Sequence, residues 1–217
     1  MKKLDIIYED KNILVINKPA KILTISDGKT EHTLYSAARE YVKKQHKSNK
    51  IFIVHRLDKD TSGIILFAKN ESLKKELQTN WNKIATRYYL AIVEGKLPTK
   101  KGVIKEYLKE SKTHQVYSTK NKSGEYAETC YEVLNETKHN SLVHVEIKTG
   151  KKNQIRVAFS NLGNPLIGDK KYGSTTNPLK RLGLHASYLK VKIKDKEYEF
   201  KSKTPESFKF YEKKCWQ

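Results

Sequence analysis

The chain has 217 residues, enough for one domain with a core of its own, and no apolar stretch approaches the ~18 residues that span a bilayer. Lys and Arg number 44 against 24 Asp and Glu, a net charge of +20 at pH 7 that favours a polyanionic partner, nucleic acid first. The first residues contain no apolar signal segment, so we expect a soluble cytoplasmic protein.

The two cysteines, Cys130 and Cys215, lie far apart in the sequence. No CxxC pair occurs, and no histidine stands at a metal-ligand spacing from either thiol. The pattern therefore predicts neither a zinc site nor a disulfide framework, and it fits a reducing compartment.

The first part of the chain mixes strand and helix patterns. Thr33 and Asn70 are predicted helix caps, because each precedes apolar residues that recur at helical spacing. The predicted elements are a hairpin of Ile6–Tyr8 and Ile13–Ile16, a helix over residues 33–46, strands over Ile51–Val54 and Ile64–Ala68, and a helix with the stripe Leu73, Leu77, Trp81 and Ile84.

Strands dominate the rest of the chain. They are predicted over Tyr88–Val93, Val103–Leu108, Gln115–Ser118, Ala127–Leu134 and Leu142–Ile147, followed by a helix over Asn153–Leu162 and a hairpin that turns near Asp195 and Lys196. This mixture predicts an α+β fold, with a mixed, largely antiparallel sheet, flanking helices and a central basic cleft. No repeat or linker divides the sequence, so we expect a single catalytic domain over residues 1–217.

The most unusual stretch is the loop between the strands at 51–54 and 64–68, where ionisable and hydroxyl groups surround a single leucine. A Ser/His/Asp triad of Ser62, His55 and Asp58 has the right residue types but lacks a nucleophile elbow. A metal-dependent nuclease needs several converging carboxylates, whereas Asp58 and Asp60 stand among cations that repel a metal ion. The loop favours instead one carboxylate kept ionised by a neighbouring guanidinium.

Two further interpretations of the loop have to be weighed. Glycoside hydrolysis requires an acid of raised pKa, and the adjacent cations would lower that pKa. A solvated turn with an Asp–Arg surface pair, worth ~0 to 1 kcal/mol, is the usual reading of a charged loop.

The string HRLDKDTSGIILFAK at residues 55–69 closely resembles the signature of the RluA-type pseudouridine synthases. Other segments resemble further motifs of that family in the same order: Val15–Pro19, Arg87–Gly95, Lys148–Gly150, Asn153–Val157, Gly163–Asp169, Tyr172–Gly173 and Leu184–Ala186. The resemblance covers roughly residues 6–190 and implies a pseudouridine synthase catalytic fold.

The resemblance implies that uridine in RNA is isomerised to pseudouridine, with neither cofactor nor metal. Asp58 corresponds to the essential carboxylate, acting as nucleophile or as base. Tyr89 corresponds to the active-site tyrosine that stacks on the flipped base, and Arg156 is expected to pair with Asp58.

The remaining expected site residues surround this set as substrate-binding groups. Arg56 is the candidate for filling the gap left by the flipped base or for holding its phosphate, since arginine in a lysine-rich chain suggests use of the planar fork. Thr61, Ser62, Gly63 and Lys18 are expected to shape the pocket, and Arg87 lies in a motif strand.

The chain departs from the family pattern in places. Where many relatives have Gly-Arg-Thr-His, it has Gly150-Lys151-Lys152-Asn153. We expect no S4-type domain before residue 6, a monomer, and rRNA or tRNA as the partner, with no membrane and no small-molecule cofactor. A non-catalytic RNA-binding protein on the same fold and a nuclease remain the alternatives.

Overall fold

The computed structural model describes residues 4–120 and 122–212, and Cys215 lies outside them. The strands are β1 (Ile6–Glu9), β2 (Ile13–Lys18), β3 (Phe52–Ile53), β4 (Ser62–Ala68), β5 (Ala85–Glu94), β6 (Lys101–Glu110), β7 (Val116–Thr119), β8 (Glu125–Glu136), β9 (Asn140–Ile147), β10 (Leu184–Ile193) and β11 (Lys196–Lys201). The helices are α1 (Leu34–Gln45), α2 (Glu71–Ile84), α3 (Gln154–Asn161) and α4 (Glu206–Glu212), with a 3-10 turn at Lys170–Tyr172.

The chain divides into two compact units, Met1–Ala85 with Ala186–Ser202 and Thr86–His185 with Lys203–Gln217. In the first unit the strand order is β1-β2-β4-β10, with β11 paired to β10 and β3 to β4. The β1–β2, β2–β4, β3–β4 and β10–β11 pairs are antiparallel. Every residue of β4 is buried, which explains why this strand is an apolar run and does not alternate.

Both predicted caps of the first unit are present. The Thr33 side chain accepts from the Ser36 amide in a capping box, and the Asn70 side chain accepts from the Leu73 amide at 2.8 Å. The apolar stripe of α2 packs against alternate residues of β2 and β4 in one core cluster. Each helix therefore begins at its cap, and α2 buries its predicted face.

In the second unit the strand order is β5-β9-β8-β6-β7, and each neighbouring pair is antiparallel. Helix α3 places Val157 in a core cluster with residues of β6, β7 and β8. Helix α4, which periodicity did not predict, buries Phe208 and Tyr211. Its 7 residues span too few turns to give a helical pattern in the sequence, and burial of two aromatic rings stabilises it.

The predicted α+β class with largely antiparallel strands is confirmed. The central basic cleft and the single domain over residues 1–217 stay predictions.

Candidate active site

The predicted site residues fall into two groups. Six lie in the first unit, on or beside the loop that joins β3 to β4: Lys18, Arg56, Asp58, Thr61, Ser62 and Gly63. Three lie in the second unit: Arg87 and Tyr89 on β5 and Arg156 on α3. Each group has its own supporting contacts.

The backbone around Asp58 is fixed by side chains from elsewhere in the first unit. The buried Thr24 hydroxyl donates to the Leu57 carbonyl at 2.8 Å and accepts from the Leu57 amide at 3.2 Å. The Thr61 amide donates to the Asp58 carbonyl at 3.2 Å and so closes a tight turn. Asp58 thus stands between two pinned positions, which limits the conformations open to its half-buried side chain.

Lys18 supports the same loop through hydrogen bonds from its ammonium to backbone carbonyls. Its side chain is fully buried, and its ammonium donates to the carbonyls of Pro19, Ile22 and Lys59 at 3.0, 2.7 and 3.0 Å. Three carbonyl partners offset much of the cost of burying the ammonium. The cation therefore ties the Pro19–Ile22 turn to the loop that carries Asp58.

The end of the loop is closely packed. Thr61 and Ser62 are 2% and 4% exposed. Gly63 has φ = +115°, and a Cβ built there would lie 2.1 Å from the carbonyl oxygen of Ala186 on β10. Only glycine fits this backbone conformation and this close approach.

His55, also in the signature, lies just after the short strand β3 and contacts β4 and α2. Its Nε2 accepts from the Leu66 amide at 3.0 Å, and its ring stacks on Trp81 with centroids 4.6 Å apart. An imidazole that accepts a backbone hydrogen bond at Nε2 is neutral and has that nitrogen engaged in the sheet. This geometry argues against His55 as the base of a Ser/His/Asp triad.

The charged residues of the loop differ in exposure. Arg56, Lys59 and Asp60 are exposed, whereas Asp58 is half-buried. Asp58 is therefore the more enclosed of the two loop carboxylates.

In the second unit, alternation along β5 directs Arg87 and Tyr89 to one face, where they are 7% and 8% exposed. Burial lowers the pKa of the Arg87 guanidinium, and the nearby Tyr89 hydroxyl opposes this shift in part. Tyr88 lies on the other face and is half-buried, with its ring stacked on His144 at 4.6 Å.

Arg156 is held by residues that sequence reasoning did not single out. Its Nε and Nη2 donate to the two carboxylate oxygens of Asp169 at 2.7 and 2.8 Å, and Asp169 is 2% exposed. Its Nη1 donates to Oδ1 of Asn153 at 3.1 Å, and the guanidinium carbon lies 4.8 Å from the centre of the Tyr172 ring. The guanidinium plane is thus fixed along its edge and over one face.

The start of α3 is braced in turn by Gln154. Its amide nitrogen donates to the Glu128 carbonyl and to the Thr129 hydroxyl at 2.9 and 3.0 Å. Its amide oxygen accepts from the Thr149 hydroxyl and from the Lys151 amide at 2.8 and 3.1 Å. These bonds anchor the helix that carries Arg156 to β8.

The residues that contact Arg156 could be suspected from the sequence only by their place in the motif segments. Asn153, Asp169 and Tyr172 stand inside or beside the motif segments, but only the fold shows that they converge on Arg156. Thr24 lies outside those segments and left no such signal.

Over residues 4–120 and 122–212, the structure contains no group of three or more His, Cys, Asp or Glu side chains arranged to hold a metal ion. Within the same ranges, no helix is both long enough and apolar enough to cross a membrane.

A family model described as RNA pseudouridylate synthase matches residues 12–161. An uncharacterised RNA pseudouridine synthase of Bacillus subtilis is 40% identical over 87% of this chain and 64% of its own length. A ribosomal large subunit pseudouridine synthase C of Rickettsia bellii is 35% identical over 94% of this chain and 69% of its own length. The chain spans less than two thirds of the length of two Bacillus subtilis relatives, 64% and 63%.

Among solved structures, the human RNA pseudouridylate synthase domain containing 4 protein superposes with a TM-score of 0.81 at 24% identity, over 97% of this chain and 92% of that chain. At this identity the likeness shows the fold. Together with the family match over residues 12–161, it places the motifs on a pseudouridine synthase scaffold. The chain belongs to the RluA-type RNA pseudouridylate synthase family.

Proposed function

We propose that this protein isomerises uridines in structured RNA to pseudouridine, with Asp58 as the essential carboxylate. Family membership supports the reaction class. The observation that carries the assignment to Asp58 is the fixed backbone on both sides of it. The Thr24 hydroxyl holds the backbone of Leu57, and the hydrogen bond from the Thr61 amide to the Asp58 carbonyl closes the turn that follows.

The reaction is redox-neutral. The bond from C1′ to N1 breaks and a bond from C1′ to C5 forms, while C5 loses a proton and N1 gains one. No electron leaves the nucleotide, so the chemistry requires no redox cofactor, and in this proposal it proceeds without a metal ion. Asp58 attacks or deprotonates the nucleotide, and both roles need an ionised, oriented carboxylate.

A uridine inside folded RNA has to be flipped out before its sugar is accessible, at a cost of a few kcal/mol of unstacking. We assign Tyr89 to the face of the flipped base, where aromatic stacking contributes ~1 to 3 kcal/mol. Arg156 is assigned to Asp58, as the cation that keeps the carboxylate ionised and directed. Three of its five N–H groups donate to Asp169 and Asn153, which fixes the orientation of the guanidinium.

The other expected residues take supporting roles in this proposal. Arg56 fills the gap in the RNA stack or holds the neighbouring phosphate, and its exposure leaves it accessible to RNA. Thr61, Ser62 and Gly63 shape the loop, Lys18 ties that loop to its neighbour, and Arg87 adds a buried cation beside Tyr89.

The partner in this proposal is ribosomal or transfer RNA, and a net charge of +20 suits a phosphate backbone. We further propose that the protein acts as a cytoplasmic monomer without a cofactor.

The test is pseudouridine mapping across total RNA from cells with and without the gene, followed by the same RNA treated with purified protein. Asp58→Asn keeps the shape of the side chain and removes its charge, so conversion should fall more than a hundredfold while RNA affinity stays close to wild type. Asp60→Asn, two residues along the same loop, is the matched control and should convert RNA normally. Conversion by Asp58→Asn above about a hundredth of the wild-type rate would remove Asp58 from the chemistry. RNA binding without conversion by the wild type would favour the non-catalytic alternative.

A further inference from the structure

The side chain of Asn153 lies between Arg156 and Tyr172 and contacts both. Its Oδ1 accepts from Nη1 of Arg156 at 3.1 Å, and its Nδ2 donates to the Tyr172 hydroxyl at 3.0 Å. Asn153 is only 8% exposed, so both hydrogen bonds are shielded from water. The amide group therefore has a defined orientation, with its oxygen towards the guanidinium and its nitrogen towards the phenol.

The backbone of Asn153 explains part of the residue choice. It has φ = 54° and ψ = 17°, the left-handed conformation, and its carbonyl accepts from the Val157 amide in the first turn of α3. Asparagine, aspartate and histidine adopt this conformation more readily than other side chains with a Cβ. Its side chain makes no capping bond to the helix, so it is available to Arg156.

We propose that Asn153 is a positioning residue for Arg156, a role that rests on the proposed function of Arg156 in the isomerisation. Asp169 fixes Nε and Nη2 of the guanidinium, and Asn153 fixes the opposite terminal nitrogen. The Tyr172 ring covers one face of the group and also anchors the Asn153 amide through its hydroxyl. The three residues together set the direction of Nη1 and Nη2.

An amide at this position has a specific consequence. Asn153 carries no ionisable group, so its acceptor oxygen faces Arg156 at every pH. A histidine in its place could accept from Arg156 only when the imidazole is neutral, and protonation would place two cations side by side. Asparagine at position 153 thus makes this contact insensitive to pH.

The first variant to test is Asn153→Gly, because glycine keeps the left-handed backbone without strain and removes only the amide. We expect the single-turnover rate at saturating enzyme to fall by about tenfold or more, the scale set by loss of a hydrogen bond to a charged group, with RNA affinity nearly unchanged. Asn161→Ala, on the same helix, is the matched control, because that side chain bonds to Glu106 and not to Arg156. Asn153→Gly reacting at the wild-type rate would overturn the proposal.

The second variant is Asn153→His, which restores an acceptor that titrates. We expect it to react close to the wild-type rate at alkaline pH and to gain an acidic limb in its rate profile below the ordinary histidine pKa of ~6.5, because burial and the neighbouring guanidinium disfavour the imidazolium. A merely structural role for position 153 would lower the rate by the same factor at every pH, and that outcome contradicts the proposal.

A measurement without activity separates this inference from the proposed function. The guanidinium signals of Arg156 in nitrogen-15 NMR spectra can be assigned by their loss in Arg156→Lys. In the wild type we expect slow rotation at Nη1, with distinct proton signals, and in Asn153→Gly we expect those signals to merge. Unchanged signals would overturn the positioning role, whereas a wild type that converts no RNA but shows the expected signals would overturn the proposed function alone.

Discussion

The ammonium of Lys18 donates to the backbone carbonyl of Lys59 at 3.0 Å, across 41 residues of sequence. Lys59 directly follows Asp58, so the bond fixes the chain one residue after the candidate carboxylate. Lys18 is expected to shape the substrate pocket, and that role stays a prediction. The structure assigns its ammonium three backbone carbonyls of the first unit.

Lys18→Met should destabilise the protein by about 3 kcal/mol, because three buried carbonyls lose a charged donor at once. Methionine matches the length of the lysine side chain, so packing is largely kept. The control Lys59→Met removes an exposed side chain but leaves the accepting carbonyl, and it should change stability by less than ~0.5 kcal/mol. Urea unfolding followed by fluorescence measures both. Equal midpoints for the two variants would mean that the carbonyls find other donors.

Gly63→Ala should cost more than Gly28→Ala, although both positions have positive φ, +115° and +87°. A Cβ at residue 63 meets the Ala186 backbone at 2.1 Å, whereas a Cβ at residue 28 has nothing within 4 Å. Backbone strain alone costs about 1 kcal/mol, so the excess loss at residue 63 measures the clash. We expect a total of about 3 kcal/mol or more at that position. Similar denaturation midpoints for the two variants would show that β10 moves aside.

The buried His185 should make stability depend on pH. Burial lowers its pKa from 6.5 to about 4, and the nearby Arg181 adds to the effect. Between these two pKa values the unfolded chain therefore binds a proton that the folded protein does not bind. The contribution of His185 to the free energy of unfolding is present in full above pH 6.5 and is lost as the pH decreases towards 4. The loss approaches ~1.4 kcal/mol per pH unit at its steepest. His185→Asn should remove this part of the slope in urea titrations at several pH values.

His139→Asn is the control for that experiment, since it removes an exposed histidine in place of a buried one. A pH dependence that persists unchanged in His185→Asn would show that His185 protonates within the folded protein.

The elements could be predicted from sequence where a local signal was strong. Thr33 and Asn70 precede amphipathic helices, and both act as caps. The residues that hold Arg156 and the Asp58 loop in place could not be predicted in this way. The pairing of Arg156 with Asp169 joins α3 to the segment beyond it, and Thr24 reaches Leu57 across 33 residues, so neither pair produces a periodic pattern. The motif resemblance gives Arg156 as a candidate but does not give the groups that orient it.

Arg156→Lys tests the use of a planar fork at this position. Lysine keeps the positive charge but offers a single ammonium, so it cannot donate side-on to both oxygens of Asp169 and also reach Asn153. The proposed pairing with Asp58 should therefore lose its geometry while the carboxylate keeps a nearby cation. We expect the single-turnover rate to fall about a hundredfold, with RNA affinity within a few-fold of wild type.

Arg156→Ala should lower both the stability and the single-turnover rate more than Arg156→Lys does. It leaves the 2%-exposed Asp169 carboxylate without its Arg156 partner, and it removes the cation proposed for Asp58. Arg56→Lys is the matched control for charge on an exposed loop, and it should affect RNA affinity more than Arg156→Lys does. Single-turnover rates at saturating enzyme, equilibrium binding and thermal melting, measured for each variant, separate the effects on the chemical step, on RNA affinity and on stability. If Arg156→Lys melts at a lower temperature than wild type but reacts at the wild-type rate, Arg156 serves only to hold Asp169 in the fold, and its assignment to the chemistry fails.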